Sequence, residues 1–79
     1  FSEIGRLQRI GLDYLKVDGS FIRAIDTNLG NQAFIKGLCS IAHNIGLTVI
    51  AEGVQTAEEL AILPELGFDG ATGPAVPRN

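Results

Sequence analysis

Tryptophan and methionine are absent from this 79-residue chain, and cysteine occurs once, at Cys39. A single cysteine excludes an internal disulfide and fits a reducing, cytoplasmic compartment. Without an initiator methionine, the chain is expected to start inside a longer protein, whose anchorage in an inner membrane stays open. No basic segment followed by an apolar stretch opens it, so no signal peptide is read. The longest apolar run, Leu47–Ala51 with one threonine inside, is far short of the ~20 residues that cross a bilayer. Positive charge is also scarce, with six Lys and Arg against nine Asp and Glu. That balance argues against a groove for DNA or RNA.

What is present is the making of a packed fold: 46% hydrophobic and 19% charged residues exclude a disordered chain. The length allows one small domain or a piece of a larger one. Ser2, Glu3 and the spacing of Ile4, Leu7 and Ile10 predict a short helix closed by Gly11. Tyr14–Val17 reads as a strand, and Ser20 as the cap of a turn or short helix carrying Phe21, Ile22 and Ile25. Asp26–Gly30 is a polar loop. From Asn31 to Ile45 the residues Phe34, Leu38, Ile41, Ala42 and Ile45 form one apolar helical stripe, with Gly46 as C-cap. Leu47–Ala51 is a β-branched strand of the kind buried on both faces. Thr56 and Glu59 make a capping box. The helix they open should kink or end early at Pro64 and close at Gly67. Phe68–Ala71 is a last short strand, and residues 74–79 read as a tail.

Strands alternating with helices imply parallel pairing with right-handed crossovers. Three strands alone leave one sheet face bare and two edges open, which an all-apolar central strand does not tolerate. The expected fold class is therefore α/β, as βα units of a barrel or wound sheet, incomplete by themselves. Lys16 and Asp18 fall at the end of the first strand, Glu52 directly after the second, and Thr72 just past the third. In α/β barrels the carboxyl ends of the strands converge on one mouth, where active sites lie. Lysine and carboxylates gathered there suit metal-assisted phosphoryl chemistry, since carboxylates hold hard divalent ions and lysine offers a point charge to a phosphate. The placement fits a set of solvated loop residues equally well.

The spelling of two segments is more specific. Leu12-Asp13-Tyr14-Leu15-Lys16-Val17-Asp18-Gly19-Ser20-Phe21 resembles the Lys-x-Asp segment of EAL domains. Ala51-Glu52-Gly53-Val54-Gln55-Thr56 resembles their Glu-Gly-Val-Glu-Thr segment, with Gln55 at the fourth motif position. Asn31, Ile41-Ala42, Ile45-Gly46-Leu47 and Leu66-Gly67-Phe68 are similar to the family as well. The resemblance covers nearly the whole chain, with residues 1–73 as the C-terminal portion of one EAL-type domain.

It implies a modified (β/α)8 TIM-type barrel that binds cyclic di-GMP over Mg²⁺ or Mn²⁺ and in active members hydrolyses it to the linear dinucleotide. By motif, Lys16 would contact the attacking water or phosphate. Asp18 would support the metal site, and Glu52 would act as a carboxylate near the metal or as general base. Thr72 would meet the ligand. Family members often dimerise and often carry an upstream GGDEF or sensor domain. Thr72-Gly73-Pro74 departs from the Gln-Gly-Tyr or Gln-Gly-Phe usual there, because threonine lacks the paired donor and acceptor of an amide. The family's Glu-Ala-Leu signature, its asparagine and paired aspartates would all precede Phe1.

Two functions compete on this reading: a metal-dependent cyclic di-GMP phosphodiesterase, and a catalytically silent EAL-type receptor that signals through a partner protein. A chance likeness in an unrelated barrel enzyme is the third. Other features have plainer readings. Cys39 is a small core residue, His43 a surface or flank residue, and Asp26 and Asn28 are loop and capping residues. Gly70 and Gly73 mark a strand-end turn, and Arg6, Arg9 and Arg23 a solvated face.

Overall fold

The computed structural model describes residues 14–77, so the helix expected near the start of the chain, with Arg6 and Arg9, lies outside the described residues. Strands β1 (Tyr14–Val17), β2 (Thr48–Ala51) and β3 (Gly70–Ala71) form one parallel sheet in the order β1-β2-β3. Between them run α1 (Gly19–Ile22), α2 (Leu29–Asn44) and α3 (Ala57–Leu66). Parallel neighbours require crossovers, and the helices supply them.

Alternation along β2 sets the two faces of the sheet. Val49 and Ala51 are fully buried, whereas Thr48 and Ile50 are half-buried. The expectation of burial on both faces is met on one, because among the described residues α2 and α3 cover only that side. The core there combines Val17, Ile22, Ile25, Ile35, Cys39, Val49, Val54 and Leu63. Gly70 lies beside β2, where an added Cβ would stand 2.9 Å from Ile50 Cδ1.

The long helix turns only part of its expected stripe to the core: Ala42 is buried and Leu38 packs against the core, but the rest of the stripe faces out. Ile35, Cys39 and Ala42 are buried, whereas Phe34, Ile41 and Ile45 are 55%, 63% and 68% exposed. The small Cys39 and Ala42 explain the choice, since they permit the close approach that bulkier residues would block. Where α3 ends, a Cβ on Gly67 would come within 2.9 Å of Cys39 Cβ, and Gly67 has a left-handed φ of +107°. Glycine alone meets both demands.

Other boundaries shift by a few residues. Asn28 caps α2, and Ile45 takes the C-cap position ahead of Gly46. At α1 the cap is Asp18, which accepts from Ser20 N, so Ser20 is the donor and not the cap. Pro64 sits inside α3, which continues to Leu66 without ending early. Leu63 and Leu66, both buried, hold that last turn against the core. The last strand shortens to Gly70–Ala71. Beyond it, Ala75 N donates to Val54 O at 3.0 Å, and Ala75 and Val76 pack against the core.

Candidate active-site mouth

The sheet register brings the strand ends level. Val17 pairs with Ala51, and Ala51 with Ala71. The ladder runs one residue further: Glu52 N donates to Val17 O at 2.9 Å and Thr72 N to Ala51 O at 2.8 Å. Side chains alternate along a strand. With Val17, Val49 and Ala51 turned to the helices, Lys16, Asp18, Glu52 and Thr72 all share the opposite parity. The four residues thus fall at one end of the sheet. Lys16 and Glu52 meet directly, with Nζ 3.8 Å from Oε2 and the side chains 64% and 41% exposed. A pair this exposed adds little to stability, so its interest is chemical.

Asp18 is occupied locally. Its Oδ2 accepts from Ser20 N at 2.9 Å. Hydrogen bonding to Ser20 holds its carboxyl below the ordinary aspartate range, so it is ionised at neutral pH. Thr72 is held by its backbone, donating to Ala51 O and accepting from Val54 N at 2.9 Å.

Three glycines let the loops behind the strands touch. A Cβ on Gly19 would stand 3.1 Å from Glu52 O and 3.5 Å from Gly53 Cα. A Cβ on Gly73 would overlap Val54 N and lie 2.6 Å from Val54 O. The Glu52-Gly53-Val54 segment is thereby clasped between the loops that follow β1 and β3.

A fifth polar residue, missed as a site element by sequence reasoning, is Glu59. Its capping box with Thr56 is present: Glu59 N donates to Thr56 Oγ1 at 3.0 Å and Thr56 N to Glu59 Oε1 at 3.3 Å. Oε1 also accepts from Gln55 N at 2.9 Å, and Oε2 reaches across 35 positions to Ala24 N, also at 2.9 Å. The residue is only 3% exposed. Burial pushes its carboxyl pKa up, but the N–H groups of Ala24, Gln55 and Thr56 and the Arg23 charge outweigh it and hold the pKa below the usual value. The capping-box spelling signalled one of its oxygens. Nothing in the sequence signalled the other.

At the opposite end of the sheet His43 and Asp69 form a second polar group. Asp69 Oδ2 accepts from Val49 N at 2.8 Å and lies 2.6 Å from His43 Nε2. The Val49 N–H, then His43, keep the Asp69 carboxyl below its ordinary range. Cys39, 1% exposed, is a core residue as expected, and burial raises its thiol pKa. Among the described residues no three His, Cys, Asp or Glu side chains gather as a metal-binding group. Asp18 and Glu52 nevertheless provide carboxylate oxygens from adjacent strand ends, the donors a hard divalent ion prefers. No helix among these residues is long and apolar enough to cross a membrane.

Parallel βα units with their polar residues at the carboxyl ends of the strands define a segment of an α/β barrel. The chain belongs to the EAL domain family, whose model matches residues 1–78. It is 33% identical over 73 residues to the cyclic di-GMP phosphodiesterase PdeR of Escherichia coli, covering 92% of this chain and 11% of that protein. It is 38% identical over 65 residues to the cyclic di-GMP phosphodiesterase NbdA of Pseudomonas aeruginosa, covering 82% and 8% respectively. Its backbone superposes on the manganese and cyclic di-GMP complex of Klebsiella pneumoniae BlrP1 with a TM-score of 0.74 at 33% identity, over 87% of this chain and 18% of that one. The chain thus spans about a tenth of the length of these curated relatives.

Proposed function

We propose that this segment forms part of a cyclic di-GMP site in a metal-dependent phosphodiesterase, with Lys16, Asp18 and Glu52 as its share of the reacting groups. The observation that carries the reading is the approach of Lys16 Nζ to Glu52 Oε2, 3.8 Å, at the carboxyl ends of two adjacent parallel strands. The named relatives and the ligand of the superposed structure support the substrate.

Hydrolysis joins a water oxygen to phosphorus and breaks one P–O ester bond, and the departing sugar oxygen takes up a proton to leave linear pGpG. Glu52 is the base that accepts the proton of the attacking water. Lys16 places positive charge beside the phosphoryl oxygens as negative charge builds on them. Asp18, ionised and anchored on Ser20, would hold Mg²⁺ or Mn²⁺ together with Glu52 and ligands outside the described residues. A bound ion of this kind supplies Lewis acidity, lowering the pKa of a water from about 16 toward about 7. Thr72 meets the ligand through a single hydroxyl, a weaker handle than an amide.

The setting is the cytoplasm, in a protein that carries an upstream GGDEF or sensor domain and pairs as a homodimer. The exposed Phe34, Ile41 and Ile45 on α2 support a protein-covered face there. The experiment is made on the full-length protein, with cyclic di-GMP and Mg²⁺ or Mn²⁺, scoring both binding and linear product. Binding with metal-dependent product is expected. Tight binding without product would replace the enzyme by a receptor, and no binding would remove the nucleotide assignment.

A further inference from the structure

The loops that follow the first two strands, bearing Asp18 and Glu52, are joined by a single buried side chain. Asp18 opens α1, and the chain leaves α1 through Arg23 to Ala24. Ala24 has a φ of +58°, the only left-handed non-glycine residue among those described. That conformation is unfavourable for an L-residue with a side chain. The Ala24 N–H at this position donates to Glu59 Oε2 at 2.9 Å. The other oxygen of the same carboxylate takes Gln55 N and Thr56 N, three and four positions after Glu52. Both oxygens are thus committed, one to each loop, on a carboxylate that is itself buried.

An N-cap partner needs only one of those contacts. Capping boxes close on their own helix, and here Thr56 and Glu59 complete that motif without Ala24. The bond to Ala24 adds nothing to α3. It spans from the first strand-end loop to the second, beside the Gly19–Gly53 contact. We propose that Glu59 is a positioning residue for the mouth: its carboxylate sets the placement of the loop that begins at Asp18, directly after the strand carrying Lys16, against the loop bearing Glu52, and so the geometry presented to the nucleotide phosphate. This rests on the functional reading above for its ligand, but not for its geometry.

The chemistry makes Glu59→Gln the informative variant. Glutamine keeps the size and one acceptor oxygen, but replaces the other by an NH₂ that faces an N–H and cannot bond to it. Thr56→Ala is the control, removing the other half of the capping box while leaving the Glu59 carboxylate intact. Both variants are made in the full-length protein. Amide exchange is followed at Ala24, Gln55 and residues 19–23, and cyclic di-GMP affinity is measured without added metal so that turnover does not intervene.

For Glu59→Gln the Ala24 amide and residues 19–23 should exchange at least tenfold faster, and affinity should fall about tenfold. For Thr56→Ala the melting temperature should fall comparably, with Ala24 protection and affinity kept. Equal loss of affinity in the two variants, or unchanged affinity in Glu59→Gln, would overturn the proposal and leave Glu59 as a helix cap. If the unaltered protein binds no nucleotide, the functional reading falls, and exchange alone decides. Faster exchange at 19–23 in Glu59→Gln only would uphold the placement role, and loss confined to the start of α3 would reject it.

Discussion

The two ends of the sheet carry polar residues in opposite states. At the carboxyl end, Lys16 and Glu52 are exposed, lie 3.8 Å apart and have no other side-chain partner among the described residues. At the amino end, a single oxygen of Asp69 joins Val49 N and His43 at 2.8 and 2.6 Å, tying β2, the start of β3 and the end of α2 together. At the carboxyl end the Lys16 and Glu52 side chains bond only to each other among these residues, although Asp18 there is tied to Ser20 N, whereas the Asp69 carboxylate is spent within the fold. In barrels of this kind the same division separates reacting groups from stabilising ones.

The comparison breaks most visibly at Glu52. In the full-length protein Glu52→Ala should lower the rate of cyclic di-GMP hydrolysis by about 10²–10⁴-fold, the range for loss of a general base. Its melting temperature should stay within a degree or two, as calorimetry would show. A variant with normal turnover would return Glu52 to the class of solvated loop residues. Gly73→Ala tests the scaffold of the same end. The new Cβ would collide with the Val54 backbone at a φ of +130°, costing about 2–3 kcal/mol in urea unfolding and weakening nucleotide binding with it.

The amino end should respond to acid and not to substrate. The Asp69 carboxyl titrates below its ordinary value in the folded protein. The stability it contributes is therefore present above that ordinary value and is lost as pH falls through the depressed one. Glu59 follows the same sign. Urea midpoints should accordingly decline below about pH 4. Asp69→Asn, which retains an acceptor for Val49 N, should flatten that decline while turnover at neutral pH is unchanged. The smallest effect is expected at Ala24, where replacement by glycine relieves the positive φ and should stabilise the fold by about 0.5 kcal/mol, read as a small rise in urea midpoint.

Much of this layout was legible in advance. All three strands were expected, the β-branched run Leu47–Ala51 and the short segments Tyr14–Val17 and Phe68–Ala71, and Gly67 and the Thr56–Glu59 pair marked the limits of α3. Lys16, Asp18, Glu52 and Thr72 were placed at strand ends by position alone, and the sheet register puts them there. The rest depended on distance along the chain. Two apolar stripes run down α2, and periodicity does not say which one the sheet will cover. The selection of Ile35 and Cys39 over Phe34, Ile41 and Ile45 follows from the close approach of Gly67, 28 positions after Cys39. Pro64 was read by its local penalty, which burial of Leu63 and Leu66 overrides. The links from Glu59 to Ala24 and from Asp69 to Val49 have no local spelling at all.

The contact between Gly67 and Cys39 has a practical side. The thiol is sealed under the C-terminal turn of α3 with 1% of its surface exposed, and burial raises its pKa, so the nucleophilic thiolate is scarce while the fold is closed. An alkylating reagent therefore reaches sulfur only when α2 and α3 part. The only cysteine in this sequence is in effect a built-in clock for the opening of that seam, readable by mass without adding a label site.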